Sequence, residues 1–130
     1  MSTPHLRQMD ERPLVAVVCA VPLLGEAIVS ALEFAEVRSF TDRGGDVAGL
    51  LHWLRPDAVV VDSEGAAEGA SNYATEQKLP LLHISVRDRA LRLFHNGEWH
   101  HVTNGEGPTP EVIRNVVAGA LFARTVERVS

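Results

Sequence analysis

Apolar residues along this chain come in two alternating kinds of run. Leu14 to Ala20 (LVAVVCA), Ala58 to Asp62 (AVVVD) and Leu81 to Ser85 (LLHIS) are short, nearly unbroken apolar stretches. That is the pattern of strands covered on both faces in a parallel sheet. Val37 to Phe40 makes a shorter strand of the same kind. Between these runs the spacing changes. Leu24, Ala27, Ile28, Ala31, Leu32 and Ala35 recur at three- and four-residue steps, one stripe of a helix that Pro22 opens and that reaches about Phe34. After a turn at Asp42 to Gly45 (DRGG), Asp46 can cap a helix whose Val47, Leu50, Leu51 and Leu54 share a face, and Arg55-Pro56 stops it. Thr109, Pro110 and Glu111 form a capped, acidic start to a last helix carrying Val112, Ile113, Val116, Val117, Ala120 and Leu121.

Two segments are less regular. Ser63 to Ser71 is rich in Gly, Ala and Ser, which leaves room for a short helix around Asn72 to Gln77. Val86 to Val102 admits two readings. Asn96-Gly97 between LRLF and EWHHV is a type I′ hairpin signal. Equally, Asp88 to His95 can be a short helix closed by a left-handed Asn or Gly, with Glu98 to Val102 as a fifth strand. Strands alternating with helices predict a single α/β domain over 14–126, a doubly wound, mostly parallel five-stranded sheet. A flexible arm (1–13) and a short tail (127–130) flank it, and the region between the fourth strand and the last helix is irregular.

Composition narrows the range of functions. The 130 residues are 45% apolar and 22% charged, with a net charge of −5. A chain of this size buries a core without needing a metal or a disulfide. One cysteine makes no internal bridge, and neither a secretory leader nor an apolar run of about 18 residues is present. The expectation is a cytoplasmic protein with no membrane association. An acidic balance without a basic stripe argues against direct nucleic-acid binding.

Three stretches resemble the receiver domains of bacterial two-component response regulators, especially those joined to NarL/LuxR-type output domains. Val21-Pro22-Leu23-Leu24-Gly25-Glu26 is similar to the segment after the family's first strand. Arg55-Pro56-Asp57 followed by AVVVD is similar to the approach to its phospho-accepting aspartate, and Leu79-Pro80-LLHIS to its fourth strand. The resemblance implies a flavodoxin-like (CheY-like) fold, Asp62 as candidate acceptor and Ser85 as candidate switch hydroxyl.

Departures from that pattern are as informative as the matches. Aspartyl phosphorylation needs Mg²⁺, and a hard dication wants more than one carboxylate. The family's two metal-binding acids align with Cys19 and Ala20, a thiol and a methyl group. Its lysine at the end of the fifth strand has no counterpart around His101 to Thr103, Lys78 being the chain's single lysine. Its Met-Pro after the acceptor is replaced by Gly65-Ala66. Removing one group that stabilises transition-state charge costs on the order of 10² to 10³ in rate. Loss of three predicts an atypical receiver with no catalysis, no cofactor and no metal, acting through a protein partner or as a homodimer. Two alternatives stand beside it: a phosphorylatable receiver using Asp62 and Mg²⁺, and a sensor of small molecules in the pocket of Cys19, Asp62 and Ser85.

Other residues have plainer readings. Cys19 lies where open α/β sheets place ligands, but the apolar stretch after it lacks a phosphate cradle, so a buried inert thiol is expected. His83, His95, His100 and His101 lack metal-site spacing, although a hairpin would put His95, Glu98 and His100 on one face. Trp53 and Phe122 lie off the apolar stripes of their helices and are interface candidates, with lateral packing against a neighbouring helix as the alternative. These 130 residues leave no room for an output domain after the last helix, so any effect on transcription is expected to pass through another chain.

Overall fold

In the computed structural model, residues 12–42, 44–102 and 108–129 are described. The continuous apolar runs become β1 (Leu14–Cys19), β3 (Ala58–Val61) and β4 (Leu81–Ser85), and the shorter run becomes β2 (Glu36–Thr41). Helices α1 (Pro22–Ala31), α2 (Val47–Leu54), α3 (Glu64–Gln77) and α4 (Pro110–Val129) occupy the intervals. Asp46 caps α2 by accepting from the Gly49 amide at 2.9 Å, and Arg55 ends it in the left-handed region at φ 56°. The Thr109 hydroxyl accepts from the Val112 amide at 3.2 Å, so the Thr-Pro-Glu start of α4 forms as its sequence dictates.

Beyond β4 the structure chooses the hairpin reading and extends it. β5 (Ala90–His95) folds back antiparallel to β4, and β6 (Glu98–His101) antiparallel to β5. Asn96 and Gly97 have φ of 55° and 80°, the two left-handed residues of a type I′ turn. The sheet therefore has six strands rather than five, ordered β2-β1-β3-β4-β5-β6, with only the first four parallel. Residues 86–101 are two tight turns and two strands where an irregular region was expected; residues 103–107 lie outside the described residues.

Three further expectations are corrected. The short helix around Asn72 to Gln77 is in fact fourteen residues long. Ser63 caps it, and Ala66, Ala67, Ala70 and Ala74 bury a small-residue stripe that lets α3 lie close to the sheet. Helix α1 stops at Ala31 rather than Phe34, and Ala27 on its expected stripe is exposed, Gly25 being buried instead. The tail begun at residue 127 is helical through Val129. The arm proposed for 1–13 lies outside the described residues up to residue 11, and the carbonyl of Pro13 is already tied to the Glu36 amide at 2.8 Å.

Alternation along the strands builds two cores. Val15, Val17, Ala58, Val60, Leu82, Ile84 and Leu91 pack with Ile28 of α1, with Leu32 at its carboxyl cap, and with Ile113, Val117 and Leu121 of α4. Ala16, Val18, Val59, Val61, Leu81 and Phe94 pack on the opposite face with Leu51 of α2 and Tyr73 of α3. Helices thus cover both faces, two on each. Among the described residues, no helix is long and apolar enough to cross a membrane.

Candidate functional site

Because α1 lies on one face and α2 and α3 on the other, the carboxyl ends of β1 and β3 form the topological switch point, the place where open α/β sheets bind ligands. Asp62 is the first residue beyond β3 and reaches across it. Its Oδ1 accepts from the Ala20 amide at 2.7 Å and its Oδ2 from the Val21 amide at 3.0 Å. Local sequence explains the pairing. Helix α1 starts after Val21 with no side-chain cap, and Pro22 contributes no N–H. The turn is left with donors and the positive end of a helix dipole, and an anion from the neighbouring strand satisfies both.

A second carboxylate comes from the end of β2, which composition and motif had not marked. Asp42 Oδ2 accepts from the Ser63 hydroxyl at 2.7 Å and its Oδ1 from the Gly44 amide at 3.0 Å. These two bonds hold its carboxyl below the ordinary value of 3.8. Ser63 in turn accepts from the Ala66 amide at 3.1 Å, so one hydroxyl both caps α3 and binds Asp42. The available signal was topological: the acid just past β2 comes beside β1 once β2 pairs with it.

Cys19 is buried beside these acids, its thiol pushed up to about 12 by burial, then by the charges of Asp62 and Asp42. It stays protonated at neutral pH and is a poor nucleophile or metal ligand. Ala20, at the other metal-acid position, offers the switch point only its backbone amide. Ser85 is bonded within its own turn: its hydroxyl donates to Asp88 Oδ2 at 3.1 Å and accepts from the Asp88 amide at 3.3 Å. Among the described residues no hydrogen bond joins it to Asp62. Lys78 caps the carboxyl end of α3, just ahead of β4, at the opposite edge of the sheet.

The histidines separate. His83 on β4 is 3% exposed and its Nδ1 lies 2.6 Å from Arg92 Nη2, its partner across the strand pair. Burial and then the Arg92 guanidinium hold the imidazole below its ordinary 6.5, so it is neutral and Nδ1 accepts. Arg92 also stacks 4.8 Å over Trp99 and lies 3.6 Å from Glu64. The β5–β6 register sets His95 opposite Glu98 and His100 two residues on, which puts these three on one face. Among the described residues, no three His, Cys, Asp or Glu side chains gather as a metal cage. Trp53 on α2 is 75% exposed and Phe122 on α4 is 72% exposed, and their helices lie on opposite faces of the sheet. No protein-family model matches this sequence, and no curated protein or solved structure does.

Proposed function

We propose that this chain is a receiver-like signalling domain that acts by binding protein, as a homodimer through α4, and that it has lost aspartyl phosphorylation. One observation carries the reading: each carboxylate oxygen of the acceptor candidate, Asp62, accepts a hydrogen bond from a backbone amide of the turn before α1. Each oxygen keeps a further lone pair, but an attack on phosphorus or a shared dication would have to compete with these amides for the carboxylate's charge. The strand order β2-β1-β3-β4 and the place of Asp62 after β3 support a flavodoxin-like ancestry. The antiparallel β5 and β6 depart from it, and with them goes the parallel fifth strand on which the family carries its lysine. Phe122, exposed beside Ala118 and Gly119, supports α4 as the surface that meets a second copy.

Amide NMR with added MgCl₂ tests the proposal where it is most exposed. The Ala20 and Val21 amides are expected to keep their shifts apart from the general drift caused by salt. A saturable shift confined to these two amides and Asp62 would mean that a cation displaces them, and the phosphorylatable reading with Asp62, Ser85 and Mg²⁺ would replace this one.

A further inference from the structure

Three side chains on the α3 side of the sheet form one stack. His83 of β4 and Arg92 of β5 are cross-strand partners, and Trp99 lies one strand further out on β6. Arg92 Nη2 is 2.6 Å from His83 Nδ1, the guanidinium sits 4.8 Å over the Trp99 ring, and the His83 and Trp99 rings meet edge to face at 6.1 Å. A guanidinium has donors and no acceptor, so the short contact exists only while Nδ1 carries no proton. A proton there would set two cations N–H to N–H at a histidine only 3% exposed, and the contact would break.

Arg92 has a second acceptor close by. Glu64, in the first turn of α3, holds Oε2 3.6 Å from the same Nη2, just beyond hydrogen-bond distance, and its side chain is exposed. A cleft of about 400 Å³ between α3 and the hairpin, lined by Glu64, Gly65, Glu68, Ser71, Arg92 and Trp99, gives the guanidinium room to move. The charges around the imidazole are mixed. Burial and Arg92 oppose its protonation, Glu64 and Asp62 favour it, and His101 stands opposite Arg92 on β6. We propose that His83, Arg92 and Glu64 form an acid-operated latch: a proton taken up at His83 Nδ1 breaks the bond from Arg92, which swings to Glu64 and uncovers the Trp99 ring. Arg92 then ties β5 to the start of α3 instead of to β4, and the edge strand gains an open aromatic face. The latch is independent of the phosphorylation and self-association readings above.

NMR of the full chain from pH 7.5 to 4.5 tests this, following the His83 ring carbons, the Arg92 Nε–H and the Trp99 indole N–H, with Trp53→Phe to assign the indole signal. The three are expected to move together with one midpoint below 6.5. Glu64→Gln should lower that midpoint, Arg92→Met should raise it, and His101→Gln should leave the transition in place. In His83→Gln, whose amide oxygen still accepts from Arg92, the Trp99 signal should stay fixed. An imidazole that titrates while the Arg92 and Trp99 signals stand still would overturn the proposal. So would a Trp99 movement that persists in His83→Gln, or unfolding of the chain before any of the three signals moves. Should His83→Gln fail to fold, the wild-type titration and Glu64→Gln, at an exposed position, still decide the matter.

Discussion

Asp62 joins two elements through a pair of charge-assisted hydrogen bonds to the turn before α1. Its removal exposes two donors and the uncapped start of that helix. Asp62→Ala is expected to lower unfolding stability by about 1–2 kcal/mol, comparable to loss of a helix cap. Urea denaturation measures this, and an unchanged midpoint would mean that the two bonds contribute nothing. His83 gives a prediction with a definite pH window. Its folded pKa is below the ordinary 6.5, so the unfolded chain binds the proton more tightly. Stability is complete above that value and falls as pH drops below it. Asp42, also shifted down, contributes a loss only below its own ordinary value of 3.8. Unfolding measured at successive pH values from 7.5 to 5 should show a decline that His83→Gln flattens. A wild-type curve equally flat across that range would show that burial beside Arg92 does not disfavour the charged imidazole.

At the scale of elements, legibility followed side-chain size. β1, β3 and β4 announce themselves by branched apolar residues, and α2 by three leucines on one face. Helix α3 has the same periodicity written in alanine, at 66, 67, 70 and 74, which by composition reads as loop. Its length depends on Ser63 at the start, where one hydroxyl serves both Ala66 and Asp42. Ser63→Ala should therefore cost about 1–2 kcal/mol, since it removes a cap and leaves a carboxylate short of a donor. A circular-dichroism melt compares it with wild type, and equal melting temperatures would contradict this account of α3. The Asn96-Gly97 hairpin was legible because two successive left-handed residues have few chemical solutions. The return of β5 against β4 was not, because Val86 to Arg89 carries no Gly or Pro and turns through a left-handed Arg89 at φ 52°.

Across the whole molecule, the two cores explain why the parallel half of the sheet could be read in advance and the site only partly. Core positions alternate along each strand and need only local pattern. The switch point needs pairing: Asp42 comes beside Cys19, and Asp62 beside Ala20, only once β1 lies between β2 and β3. The resemblance to receivers located Asp62 and Ser85, but not the amides that hold one or the turn that holds the other. Phe122 belongs to this scale as well. Sedimentation of the wild-type chain is expected to show a concentration-dependent dimer that Phe122→Glu converts to monomer; a wild-type monomer at every concentration would remove α4 as the self-association surface. The loss of phosphoryl chemistry is tested most directly by intact mass after incubation with Mg²⁺ and acetyl phosphate. The account predicts an unchanged mass for the wild-type chain. A labile gain of one phosphoryl group, absent from Asp62→Ala, would contradict it.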